Sequence, residues 1–171
     1  MVHNMEKHER ERSSLPFRKN CEGYFMDKMG NILAKKSDNG YMLFPGGGID
    51  RNEYMEEGVK RETFEETGAI IKNLKKVGEL KFIWGSHWAK NEKQRKRYQR
   101  YKGEDMHFFM GEIDRFEEPL KKEEDFWEGK KLMPIFEVID AINAQKPFQR
   151  KNKKYREIQL KFLKELQKAK Q

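Results

Sequence analysis

The chain has 171 residues, enough for one domain around a single core. Charged residues make up 39% and mean hydropathy is −1.09, and no apolar run approaches the ~18 residues of a membrane-spanning helix, which excludes that class. Net charge is +8, and one cysteine, Cys21, excludes an intramolecular disulfide and leads us to expect a reducing, cytoplasmic setting.

Residues 1–14, MVHNMEKHERERSS, are polar with no apolar stretch, so a disordered lead rather than a secretory signal is expected. Residues 17–27 and 32–36 read as strands around the turn Lys28-Met29-Gly30-Asn31, with Cys21 expected as a small buried residue. A short strand over 41–44 feeds the loop Pro45-Gly46-Gly47-Gly48, which is free to turn sharply and offer backbone groups to a ligand. A helix follows. Asn52 is its expected cap, Glu53, Glu56 and Glu57 favour its first turn, and Gly68 stops it.

Within that helix Glu62, Glu65 and Glu66 stand at i, i+3 and i+4 and share one face. Like charges so spaced repel by roughly 0.2–0.5 kcal/mol per pair, so a cation is expected against them. Hard divalent ions such as Mg²⁺ or Mn²⁺ want carboxylate oxygens together with substrate phosphates. Gly58, one turn before Glu62, marks close packing of the preceding loop. Arg61 points to another sector and pairs with Glu53 or another carboxylate.

Residues 70–84 hold two apolar patches and end at Trp84, which with His87 and Trp88 either stacks on a base or packs a strand end. The stretch 90–102, KNEKQRKRYQRYK, carries seven Lys or Arg against Glu92 and lacks hydrophobic periodicity; it reads as a mobile loop. It is either a solvated loop or a phosphate- or RNA-contacting strip in which Arg95, Lys96 and Arg97 bind and Tyr98 and Tyr101 stack. MHFFMGEI, residues 106–113, is a strand, and PIFEVIDAINA, residues 134–144, a strand-to-helix passage. From Asn152 onward, Tyr155, Ile158, Phe162, Leu166 and Ala169 form the docking stripe of a Lys-rich helix. Between Gly46 and Gly68 seven acidic residues face three basic ones, a net −4 that leaves +12 on the rest of the chain. That contrast suits a polyanion bridged by a cation.

Read by spacing, residues 47–69 are Gly47, five residues, Glu53, seven residues, then Arg61-Glu62-Thr63-Phe64-Glu65-Glu66-Thr67-Gly68-Ala69. This resembles the signature of the Nudix hydrolases, with Thr63 and Ala69 where larger apolar residues are usual. The resemblance implies an α/β/α sandwich with a mixed sheet, a single domain over residues 15–171, and metal-dependent hydrolysis of a nucleoside diphosphate linked to another group. It further implies catalytic roles for Glu53, Arg61, Glu62, Glu65 and Glu66, and a metal held by Glu62, Glu65, Glu66 and the Gly47 carbonyl. Glu123 or Glu124, from an acidic loop over 120–130, would join as ligand or base, although an exposed acidic loop is the plainer reading. Substrate marks of several subgroups are absent, including a proline shortly after the signature, since none lies between Pro45 and Pro119. A nucleoside triphosphate or related polyphosphate is therefore the expected substrate. The alternatives are an RNA 5′-end pyrophosphohydrolase and a non-catalytic RNA- or nucleotide-binding relative. Oligomeric state stays open.

Overall fold

The computed structural model describes residues 10–145 and 150–170. Its centre is β1 (Phe17–Met26), flanked by apolar partners on both edges and both faces. β1 runs parallel to β7 (Gly103–Phe116) in unbroken register from Phe17↔Gly103 to Met26↔Glu112. On its other edge β1 pairs antiparallel with β5 (Gly46–Gly48) and, further on, with β2 (Asn31–Leu33). β6 (Ala69–Ile83) joins β7 antiparallel, and β8 (Leu132–Pro134) joins β2, so the sheet order is β6-β7-β1-β2-β8 with β5 beside β1. A separate ribbon pairs β3 (Lys35–Lys36) with β4 (Met42–Leu43). One parallel pair among antiparallel ones makes the sheet mixed, as expected.

Side-chain alternation along β1 and β7 divides the core in two. Tyr24, Met26, Met106 and Phe108 point to one face, where α3 (Ile135–Ala144) and α4 (Arg150–Ala169) pack. Cys21, Phe25, Phe109 and Ile113 point to the other, covered by α1 (Met55–Thr67) through Val59. Helices on both faces give the sandwich. Cys21 is 2% exposed and its thiol is pushed up to about 12, chiefly by burial, which suits packing rather than reactivity.

The docking stripe of α4 lies where its period put it, but the buried line also includes Gln159 and Leu163, while Ala169 is exposed. A polar tether accompanies it. Tyr155 donates to Glu22 Oε1 at 2.8 Å and Gln159 Nε2 to Glu22 Oε2 at 3.2 Å, while Tyr24 donates to the same carboxylate. Burial raises the Glu22 carboxyl, and these hydrogen bonds oppose that rise.

Three expectations change, and the patches of 70–84 gain a definite place. The strand over 32–36 divides into β2 and β3, because Leu33 pairs with β8 and Lys35 with β4. The two apolar patches of 70–84 belong to one strand, β6, whose register slips between Lys72 and Lys75 and between Lys76 and Gly78, so alternation changes face without the strand ending. The basic stretch is a helix, α2 (Glu92–Arg100): Asn91 Oδ1 accepts the Gln94 N–H at 2.8 Å, and Gln94 Oε1 accepts the Asn91 N–H at 3.3 Å. That reciprocal cap replaces hydrophobic periodicity as the helix signal. Of the expected disordered lead, residues 1–9 lie outside the described residues, and residues 10–13 form a helical turn.

If α4 is seated by its buried line, Leu163→Ala should cost about 2–5 kcal/mol in urea unfolding, because Leu163 is fully enclosed. Leu166→Ala, at a half-buried position, should cost clearly less. Equal losses would show that the helix is held by something other than this line.

Candidate active site

The glycine loop and the turn after it meet α1 because two glycines, Gly47 and Gly58, remove the atoms that would keep them apart. A Cβ on Gly47 would stand 2.4 Å from a Glu62 carboxylate oxygen, and one on Gly58 would stand 2.5 Å from Ile49 Cδ1. Gly68 closes the helix at φ +77, donating its N–H to the Phe64 carbonyl. The start of α1 differs from expectation. Asn52 lies in the preceding turn at φ +70, and Tyr54 is the first capping residue, its N–H accepted by Glu57. Glu53 therefore precedes the helix, where its Oε1 accepts the Asp50 N–H at 2.9 Å.

Arg61 ties the acidic residues together. Its Nε donates to Glu53 Oε2 at 2.7 Å and its Nη2 to Glu53 Oε1 and the Gly48 carbonyl, each at 3.0 Å. Its Nη1 reaches Glu62 and Glu65, each at 3.0 Å, so the guanidinium is not confined to a separate sector as expected. These bonds hold the Glu53 carboxyl below its ordinary range. One cation thus hydrogen-bonds three carboxylates and lies 3.5 Å from a fourth, Asp50.

Glu66 is left outside this arrangement. It is 8% exposed, accepts the Gly46 N–H at 3.1 Å, and lies in the field of Glu62 and Asp125. Burial first, then those charges, push its carboxyl from an ordinary 4.5 to about 8. Burial also raises Glu62. Among the described residues no three acidic, His or Cys side chains are gathered as ligands of one ion, and Arg61 stands between Glu62 and Glu65 instead. The donor set nevertheless fits a hard divalent cation, since the carboxylates of Glu62, Glu65 and Glu66 line one side of the helix beside the Gly47 carbonyl and only the first two meet Arg61. That carbonyl accepts the Cys21 thiol at 3.3 Å.

The remaining candidates divide. Glu123 and Glu124 are exposed, Glu123 pairing with Lys121 at 3.5 Å. Asp125 is the loop residue that bears on Glu62 and Glu66. The buried pair Phe126 and Trp127, with the Trp127 N–H donating to the Glu66 carbonyl at 2.7 Å, anchors the loop so that Asp125, itself exposed, stands within the field of Glu62 and Glu66. Those adjacent aromatics were the available signal for Asp125. Trp84 is 4% exposed and stacked on Trp88 at 3.7 Å, so its ring packs the strand end instead of opening to a ligand. Arg95 and Lys96 are exposed, Lys96 pairing with Glu92 at 3.3 Å. Arg97 is half-buried, in the field of Arg18, Glu104 and Glu62, and burial then Arg18 lower its proton affinity. Arg18, Asn20 and Glu104 carried no motif; only the pairing of β1 with β7 brings them together.

Glu66 makes stability depend on pH in a definite direction. Its folded-state affinity for protons exceeds that of the unfolded chain, so between about pH 5 and 8 the folded state binds more protons. In EDTA, stability should therefore fall across that window by up to a few kcal/mol, and Glu66→Gln should remove most of the slope. An unchanged slope in Glu66→Gln chemical unfolding would contradict the burial of an unmet carboxylate.

Comparison with known proteins agrees with this geometry. The NUDIX domain profile matches residues 24–156. YtkD of Bacillus subtilis (strain 168), whose name assigns it provisionally as an 8-oxo-dGTP diphosphatase, is 30% identical over 118 residues, covering 68% of this chain. The match spans 61% of that relative's length. Among solved structures, a mutant of the Bacillus subtilis pyrophosphohydrolase BsRppH superposes with a TM-score of 0.57 at 26% identity, over 86% of this chain and 82% of its own. A NUDIX hydrolase from Nitrosomonas europaea superposes with a TM-score of 0.56 at 14% identity, over 90% and 89%, a likeness of fold. Signature, sheet and profile agree over most of the chain, which belongs to the Nudix family.

Proposed function

We propose that the protein is a Mg²⁺- or Mn²⁺-dependent pyrophosphohydrolase that cleaves a phosphoric anhydride bond in a nucleoside triphosphate or a related nucleoside polyphosphate. The observation that carries this reading is the carboxylate face of α1 packed beside the Gly47 carbonyl, above all Glu66, which is 8% exposed and accepts only neutral donors. Glu62, Glu65, Glu66 and the Gly47 carbonyl would hold the ion. A bound divalent cation supplies stabilisation of phosphate charge and a water of lowered pKa.

The chain's own residues do the rest. Arg61 fixes Glu53 against the Gly48 carbonyl, so the glycine loop keeps its place as charge redistributes along the helix. Glu62 and Glu66, raised by burial, are the carboxylates suited to accept the proton of an attacking water. Buried carboxylates beside preformed backbone dipoles need little rearrangement during reaction.

The name of YtkD favours a nucleotide substrate. A second reading, the RNA 5′-end pyrophosphohydrolase, draws on the likeness to BsRppH and on the basic helix α2, which would follow an RNA backbone. The binding-only alternative sits poorly with a signature that keeps Glu53, Glu62, Glu65 and Glu66. No helix among the described residues is long and apolar enough to cross a membrane.

With Mg²⁺ and a panel of nucleoside triphosphates, dinucleoside polyphosphates and 5′-triphosphate RNA, the wild type should release phosphate or pyrophosphate. Glu65→Gln and Glu66→Gln should each lose about 2–4 kcal/mol of transition-state stabilisation while the fold survives. Near-normal turnover in both variants, or full activity in EDTA, contradicts the assignment. RNA cleaved in preference to every free nucleotide selects the second reading.

A further inference from the structure

The helix between β6 and β7 has no fully buried residue, so α2 is not seated on the fold by a buried apolar face. Nine residues alone make a marginal helix in water, and here five cations accompany a single Glu92. Something else must hold it. At its start Asn91 and Gln94 cap one another. At its end, where carbonyls lack helical partners and the dipole is negative, the fastening comes from another part of the chain.

That part is the segment before β1. Arg12 donates through Nη1 to the Tyr98 carbonyl and through Nη2 to the Tyr101 carbonyl at 3.2 Å. Its guanidinium carbon also lies 3.3 Å from the centroid of the Tyr98 ring. The Ser13 carbonyl accepts Lys102 Nζ at 3.1 Å, and the Pro16 carbonyl accepts the Lys102 N–H at 3.0 Å. All three fastening residues precede the stretch matched by the NUDIX profile, which begins at residue 24.

The fastened helix presents Arg97, half-buried, toward Arg18, Glu104 and Glu62. Arg18 reaches across the glycine loop: a Cβ on Gly48 would stand 2.4 Å from Arg18 Nη2. Arg18 Nη1 lies 3.4 Å from Glu104 Oε1, which also accepts Asn20 Nδ2 at 3.1 Å. Arg18, paired with Glu104, and Arg97, in no ion pair among the described residues, thus bring two guanidiniums to the rim of the acidic site. Guanidinium pairs match phosphate oxygens in geometry as well as charge.

We propose that Arg12 is a positioning residue, fastening α2 so that Arg97, with Arg18, receives the substrate phosphate lying away from the glutamate cluster. The role assigned to the phosphate rests on the pyrophosphohydrolase reading; the fastening itself does not.

The test uses the full chain as wild type, Arg12→Ala, Arg12→Lys, Arg97→Gln and the double variant Arg12→Ala/Arg97→Gln. Hydrogen exchange over residues 92–100 reads the fastening, calorimetric binding of inorganic tripolyphosphate in EDTA reads the anion subsite, and kinetics with Mg²⁺ and a nucleoside triphosphate read its use. Arg12→Ala should speed exchange in α2, and both it and Arg97→Gln should weaken tripolyphosphate binding and raise KM about tenfold, with kcat within about twofold. The double variant should be no worse than Arg97→Gln, and Arg12→Lys should recover part of the loss. Unchanged exchange in Arg12→Ala overturns the fastening. Faster exchange with unchanged tripolyphosphate affinity, or no tripolyphosphate binding by the wild type, overturns the delivery of Arg97. A wild type that binds tripolyphosphate but cleaves no anhydride overturns the pyrophosphohydrolase reading and leaves the first two measurements to decide Arg12.

Discussion

Acidic charge held out of water beside a glycine loop is the constraint on which the rest of this structure depends. Arg61 serves Glu53, Glu62 and Glu65 at once, and Glu66 is left with neutral donors, the Gly46 N–H and the Trp127 indole. A carboxylate removed from water without a full countercharge is costly, so it either binds a proton or waits for a cation. The rise of Glu66 toward neutrality is the physical record of that cost. It persists because the surrounding packing enforces it: Val59 seats α1 on the sheet, and the Trp127 N–H pins the end of the helix.

The sheet supplies the rigidity. β1 is paired along one edge with β7 and along the other with β5, so the glycine loop is itself a strand and not a free excursion. Position in the sheet then sets what each face can do. One face carries α1 and the carboxylates. The other is closed by α3 and α4, with Glu22 serving as a buried polar anchor for Tyr155 and Gln159.

The two charged helices are held in opposite ways. α1 has apolar contacts and a network of charge-assisted bonds, whereas α2 has caps and the contacts of Arg12. Local stability follows contact density, so α2 belongs to the easily opened part of the molecule and α1 to the core. An acidic site on a firm helix beside a basic helix on a looser mount separates the holding of a cation from the reception of a polyanion.

By itself the sequence determined α1, its acidic face and the glycine loop, because spacing along a helix is a local property: Gly47, Glu62, Glu65 and Glu66 fall where their intervals put them, whereas Glu53 precedes the helix and Arg61 reaches Glu62 and Glu65 as well as Glu53. The C-terminal docking stripe was legible for the same reason, apart from Gln159 and Leu163, which lie beside the period that was followed. The basic stretch was misread because its helix is specified by Asn91 and Gln94 and not by apolar periodicity. Asp125 was hidden because choosing among three adjacent acids requires knowing how Phe126 and Trp127 are buried. Arg97 was legible as one cation of the basic stretch, but Arg18 and Glu104 were beyond sequence reasoning, since 86 residues separate them. Only the parallel pairing of β1 with β7 brings those two side chains together, and such a pairing is decided by the packing of the whole sheet rather than by any local interval.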